Sequence, residues 1–166
     1  MNTDMKEKRA VILPGSYDPV TLGHLDIIRR AAERFEEVYA VIFENPEKQY
    51  TYPLDARVKM LLIATDELDN VIVSASSGLV IDYMREHGIS LIIKGVRNET
   101  DREYERVQAE WNFQHGGYPT ELWEADERLI DVSSTAARDM LRRGEDTTGI
   151  LPPGVAEFIN KLRQTD

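Results

Sequence analysis

The chain has 166 residues, 42% hydrophobic and 30% charged, which suits one soluble domain with a single substantial core and excludes a disordered chain. Thirty acidic residues against 20 basic ones leave a net charge of −10, which excludes the broad positive field that non-specific nucleic-acid binding needs. There is no cysteine, so neither a disulfide framework nor a thiolate metal site can be built.

In chain order, Met1 to Arg9 is polar and charged, and only Ala10-Val11-Ile12-Leu13 follows before Pro14. That run is too short for the apolar core of a secretory leader, and no later run approaches a membrane span. The expectation is a cytoplasmic chain that engages no membrane, with residues 1–8 as a flexible lead-in to one domain covering 1–166.

Strand-like apolar runs recur at Ala10–Leu13, Val38–Phe43, Val71–Ala75 and Ser90–Ile93, with a weaker fifth at Glu121–Ala125. The strongest are nearly continuous in Val, Ile and Leu, as in parallel strands covered on both faces. Helical spacings lie between them. Leu25, Ile28, Ala32 and Phe35 form one set, and Leu54, Val58, Leu61 and Leu62 form another after Pro53, read as a first-turn residue. Leu79, Val80, Tyr83 and Met84 follow a capping Ser76 or Ser77 and stop at Gly88. The spacing predicts a fourth helix over Thr100–Phe113, with Tyr104, Val107 and Trp111 as its apolar stripe and His115 in the turn beyond it. Ala136, Ala137, Met140 and Leu141 form a short helix ended by Gly144, and Val155, Phe158, Ile159 and Leu162 a last one, placed over residues 153–164. The alternation implies a Rossmann-like, doubly wound α/β domain: a five-stranded parallel sheet with flanking helices.

Such sheets bind ligands beyond the carboxyl ends of their strands, and the segments there carry chemistry. Pro14 to His24 joins the first strand to the first helix through two prolines, two glycines and a histidine in the helix's opening turn. Glycine allows close backbone approach, and a helix start offers unpaired N–H groups and the positive end of a dipole, a setting for phosphate. A cationic imidazole is disfavoured there, so His24 reads as a neutral hydrogen-bond donor. Lys48 follows the second strand, and Lys94 and Arg97 flank Gly95-Val96 after the fourth. In a chain this acidic, cations so placed suit a polyphosphate clamp. Ser133-Ser134-Thr135 exceeds what one helix cap requires and suggests a second anion-binding helix start. There is no GxGxxG, P-loop or HExxH, and three scattered histidines make no metal site of the protein's own.

Pro14-Gly15-Ser16-Tyr17-Asp18-Pro19 with Thr21-Leu22-Gly23-His24 resembles the T/HxGH nucleotidyltransferase superfamily. Together with Asn45-Pro46-Glu47-Lys48, Lys94-Gly95-Val96-Arg97, Asp101-Arg102-Glu103-Tyr104-Glu105 and Val132-Ser133-Ser134-Thr135, it resembles the phosphopantetheine adenylyltransferases. That resemblance implies transfer of AMP from ATP to 4′-phosphopantetheine, giving dephospho-coenzyme A and pyrophosphate in the penultimate step of coenzyme A synthesis. It further implies Mg²⁺ accompanying ATP, coenzyme A as an inhibitor and a homohexamer. His24 would contact the α-phosphate, and Ser16 and Tyr17 would bind through the phosphate turn. Lys48 and Lys94 would hold substrate phosphate, while Gly95, Val96 and Arg97 would line the ATP site. Glu105 with Leu129, Ile130, Asp131, Val132, Ser133, Ser134 and Thr135 would complete the nucleotide pocket, and Val80, Trp111 and Asn112 would border the pantetheine arm. Two positions depart from the family's usual residues: Lys94 stands for arginine and Trp111 for methionine. Val132 to Arg138 also resembles the ISSTxxR of nicotinate and nicotinamide mononucleotide adenylyltransferases, the alternative reading, and a catalytically silent nucleotide-binding module is a third.

Overall fold

Val11 and Ile12 are both fully buried although neighbours on one strand face opposite ways, so the first strand is covered on both faces. In the computed structural model, which describes residues 6–164, this is β1 (Glu7–Gly15) at the centre of a five-stranded, all-parallel sheet. The elements continue as α1 (Leu22–Arg34), β2 (Phe35–Phe43), α2 (Leu54–Ala64), β3 (Val71–Ser76), α3 (Val80–His87), β4 (Leu91–Val96) and α4 (Glu99–Gly116). Then come β5 (Thr120–Glu124), a 3₁₀ turn at Glu127–Leu129, α5 (Ser134–Arg143) and α6 (Val155–Gln164). The strand order β3-β2-β1-β4-β5 reverses winding between β1 and β4. Their carboxyl ends therefore diverge into a crevice, the place where such folds bind ligands. Among the described residues no helix is long and apolar enough to cross a membrane.

The sheet's two faces are unequal. On one, Val11, Leu13, Val38, Ala40, Ile42 and Ile93 pack with α1, α2, α5 and α6 in a large core. On the other, Ile12, Val41 and Ile92 meet Tyr83 and Met84 of α3 in a small cluster.

Several elements differ from their apolar patterns, each for a local reason. β1 takes in Glu7 and Lys8, from the segment expected to be flexible, because Glu7 pairs with Phe35; residues 1–5 of that segment lie outside the described residues. Phe35 completes the spacing of α1 yet opens β2, its backbone already extended at φ −117° and ψ 150°. β4 begins after Ser90 and continues through Lys94, Gly95 and Val96, which pair with Leu122, Trp123 and Glu124. Pro53 is the N-cap of α2 rather than a first-turn residue, and Leu62 is 48% exposed while Arg57 is fully buried in its place. No serine caps α3: Leu79 holds the cap position without a side-chain bond, and Ser76 accepts from Gly78 N–H instead.

The largest correction concerns α4. Asn98 caps it by accepting from Asp101 N–H (2.8 Å), and it runs on until Gly117 adopts φ 75°, so His115 lies in its last turn. None of its residues is buried; Tyr104, Val107 and Trp111, its apolar stripe, are 65%, 53% and 42% exposed. Helical spacing establishes a stripe but not what covers it.

Candidate active site

The turn leaving β1 is built from the inside. Tyr17 stands at φ 49°, a left-handed conformation that costs a side-chain-bearing residue about 1–2 kcal/mol. Burial of its ring and a 2.7 Å hydrogen bond from its hydroxyl to the Leu13 carbonyl offset that cost. The phenol is thus used inside the protein, and burial pushes it well above the usual tyrosine range. Buried Asp18 accepts from the N–H groups of Thr51 (2.8 Å) and Tyr52 (3.0 Å), tying the turn to the segment after β2. From α5, Ser134 donates to the Pro19 carbonyl (2.8 Å) and Arg138 to that of Asp18 (2.8 Å).

At the start of α1, Thr21 and His24 form a capping box with histidine in the place usually held by Glu or Gln. His24 N–H donates to Thr21 Oγ1 (3.4 Å), and Thr21 N–H donates to His24 Nδ1 (3.0 Å). Because Nδ1 accepts a backbone N–H, the ring proton is assigned to Nε2. Burial, reinforced by the Lys94 and Arg97 charges, lowers His24 from the ordinary 6.5 to about 4. At neutral pH the ring is therefore uncharged, and among the described residues Nε2–H has no protein acceptor. The cap that starts the helix also sets the tautomer.

The turn leaving β4 is arranged differently. Lys94 Nζ donates to the Pro14 carbonyl (3.0 Å) and lies 3.5 Å from Glu105. Asp101 accepts from Arg97 N–H (3.1 Å) and from Nε (2.9 Å) and a terminal nitrogen (3.3 Å) of its guanidinium. The cations are thus already held by carboxylates of α4. Gly95 lets β4 lie close to α1: a Cβ there would lie 3.0 Å from the Ile27 side chain, which would have to give by a few tenths of an ångström. Lys48, exposed after β2, reaches Ser16 Oγ at 3.4 Å and lies over the Tyr50 ring.

These turns enclose a cavity of about 550 Å³ lined by Ser16, Tyr17, His24, Lys48, Lys94–Arg97, Glu105, Leu129 and Val132–Thr135. A second cavity of about 380 Å³ shares Ser16, Lys48, Lys94 and Glu105 with it and is bordered by Val80 and Asn112. Of the residues expected at the site, Ile130, Asp131 and Trp111 line neither cavity. Ile130 and Asp131 are exposed, and Trp111 stacks on His115 with ring centres 4.0 Å apart. The three hydroxyls opening α5 have separate tasks: Ser133 caps Ala136 N–H, Ser134 holds Pro19, and Thr135 accepts from Arg138. What remains for an anion is the N–H groups of the first turn, which have no intrahelical acceptor.

Sequence reading missed Asp101, Tyr104 and Thr21 as lining residues. Asp101 stands four residues after Arg97, a spacing that invites an ion pair. The two carboxylates bordering the larger cavity, Asp101 and Glu105, are both engaged by cations. Among the described residues no cluster of His, Asp or Glu is placed to hold a metal ion.

The chain matches the cytidylyltransferase-like family over residues 12–140. It is 39% identical over 151 residues to the phosphopantetheine adenylyltransferase of Thermobifida fusca, covering 91% of this chain and 92% of that one. The enzyme of the same name from Corynebacterium glutamicum is 40% identical over 90% of this chain and 94% of its own, and that of Corynebacterium efficiens 39% over 90% and 95%. A match over residues 12–140 and about 40% identity across nine-tenths of the chain place it in the cytidylyltransferase-like family, among the phosphopantetheine adenylyltransferases.

Proposed function

We propose that the protein transfers AMP from Mg·ATP to 4′-phosphopantetheine, forming dephospho-coenzyme A and pyrophosphate. The observation that carries this reading is His24: a neutral imidazole with Nε2–H unpaired, lining the larger cavity together with Lys48 and Lys94, two cations that also line the smaller one. An oxygen of the acceptor's phosphate attacks the α-phosphorus as the bond to the bridging α–β oxygen breaks, and pyrophosphate leaves with that electron pair. The acceptor phosphate is already a nucleophile, so positioning and charge stabilisation suffice, without a general base. His24 donates to the α-phosphate oxygens as charge accumulates there. Lys48, Lys94 and Ser16 hold the acceptor phosphate, and Val80 and Asn112 border its arm. Arg97 and the N-terminus of α5 hold the nucleotide, with Gly95, Val96, Glu105, Leu129 and Val132 shaping its pocket. Bound to ATP, Mg²⁺ would supply further positive charge towards the departing pyrophosphate.

The exposed stripe Tyr104, Val107 and Trp111 on α4 supports assembly into a homohexamer, since it is apolar surface with no cover in the single chain. A cytoplasmic location and inhibition by coenzyme A, whose pantetheine arm would enter the smaller cavity, complete the reading. Arg138, part of the likeness to nicotinate mononucleotide enzymes, is occupied with the Asp18 carbonyl and Thr135, so that likeness has a packing explanation. Pyrophosphate release from Mg·ATP, measured with each acceptor in parallel, tests the assignment. Release with 4′-phosphopantetheine alone is expected; release only with nicotinate mononucleotide would overturn it.

A further inference from the structure

The bulkiest fully buried side chain in the protein is a charged one, Arg57 of α2. It lies between Leu54 and Leu61 on the stripe that faces the core, and it lines neither cavity. A buried cation is costly unless its hydrogen-bonding capacity is met, so its partners indicate what it is for. Its Nε donates to the Tyr52 carbonyl (2.9 Å), one terminal nitrogen to the Ser16 carbonyl (3.2 Å) and the other to Glu44. Its guanidinium carbon also lies 4.0 Å from the centre of the Tyr50 ring, the ring that Lys48 approaches at 5.5 Å. Every one of these partners belongs either to the turn carrying Ser16 or to the segment 44–52 carrying Lys48.

The same two segments are joined a second time. Asp18, two residues beyond Ser16, accepts from the N–H groups of Thr51 and Tyr52, while Arg57 takes the carbonyl of Tyr52. Segment 44–52 is also closed on itself: Asn45 N–H donates to Tyr50 Oη (2.8 Å), and the Asn45 carbonyl accepts from Lys48 N–H (3.0 Å). Lys48 is thus an exposed cation on a loop whose base is clamped from inside the protein.

We propose that Arg57 is the positioning residue for the acceptor's phosphate: its planar fork sets the separation of Lys48 from the Ser16 turn without touching substrate. This rests on the reading of the Lys48 side as the acceptor site. The fork is essential, because a lysine ammonium gathers its donors at one compact point and cannot span acceptors on both segments.

The test is a double-mutant cycle with a second, ligand-free readout. In the wild-type background, Arg57→Lys raises the KM for 4′-phosphopantetheine about tenfold, while kcat and the affinity for Mg·ATP stay within about threefold. In a Lys48→Ala background the same change raises that KM less than about twofold, because the group it positions is gone. Glu44→Gln, which leaves two of the fork's acceptors in place, gives a smaller rise in the same parameter. Equal rises in both backgrounds, or a matching loss of ATP affinity, overturn the proposal. In amide hydrogen exchange on the free protein, Arg57→Lys quickens exchange at Thr51 and Tyr52 while β1 and β2 keep their protection. Uniform acceleration through β1, β2 and α2, or none, assigns Arg57 to general stability and also overturns the proposal. The exchange arm needs no acceptor, so a wild type inactive with 4′-phosphopantetheine would count against the proposed function, with the positioning role still decided.

Discussion

The turns leaving β1 and β4 both face the crevice, yet they are held in opposite ways. In the first, Tyr17, Asp18, Val20 and Thr21 are all buried, and the polar groups that matter are satisfied by backbone: Leu13 for Tyr17, Thr51 and Tyr52 for Asp18, Thr21 for His24. In the second, Lys94 and Arg97 are held by Glu105 and Asp101, and all four side chains are partly exposed. A group fixed by backbone hydrogen bonds on a turn with buried neighbours is held to one geometry, whereas a partly solvated ion pair exchanges partners at little cost. The first turn is suited to the transition state, where geometry decides, and the second to capturing and releasing anions, where charge decides.

The largest expected effect separates the turns most sharply. His24→Ala lowers kcat by about a hundred- to a thousandfold, the usual loss on removing one preorganised donor, while ATP binding changes only a few-fold. Steady-state kinetics beside a direct ATP titration distinguishes this from equal losses in both, which would make His24 a ground-state contact.

A smaller effect appears in stability. His24 titrates near 6.5 when unfolded and at about 4 when folded, so as pH falls below 6.5 the unfolded chain takes a proton that the native state refuses. Stability present above pH 6.5 is lost progressively towards pH 4, by about 2 kcal/mol at pH 5. Urea unfolding at pH 7 and pH 5 should show that loss in the wild type beyond whatever His24→Gln shows. Parallel losses in the two proteins would mean that the buried ring is not the source.

The smallest effect belongs to the second turn. Arg97→Lys keeps the charge but gives up the fork that Asp101 orients, and it raises the KM for Mg·ATP about three- to tenfold with kcat within about twofold. A kcat loss approaching that of His24→Ala would erase the contrast between the turns.

Much of the first turn was legible without a structure. Pro14 to His24 is one contiguous stretch, and a strand, a glycine-bearing turn and a helix start lie within it. The neutral state of His24 followed from its place in a helix's first turn, although its tautomer required the Thr21 N–H bond. Arg57 was not legible. Its only trace in the sequence is a charge falling at i+3 from Leu54 and i−4 from Leu61 on an apolar stripe. Trp111 shows the reverse: its place in the stripe was readable, but its stacking on His115 rather than on a core was not.

What the sequence by itself determined are relations among near neighbours: the strands, the helix starts, the α/β alternation and the histidine in the first turn of α1. These follow from backbone geometry and side-chain periodicity over a few residues. What only the tertiary structure decided is which distant segments meet. The order β3-β2-β1-β4-β5 sets the β1 and β4 turns side by side, and buried Arg57, 41 positions from Ser16, joins the Ser16 turn to the segment carrying Lys48. A buried charge is stable only where the fold supplies its acceptors, and two of the three here are backbone carbonyls, whose position no residue type reveals.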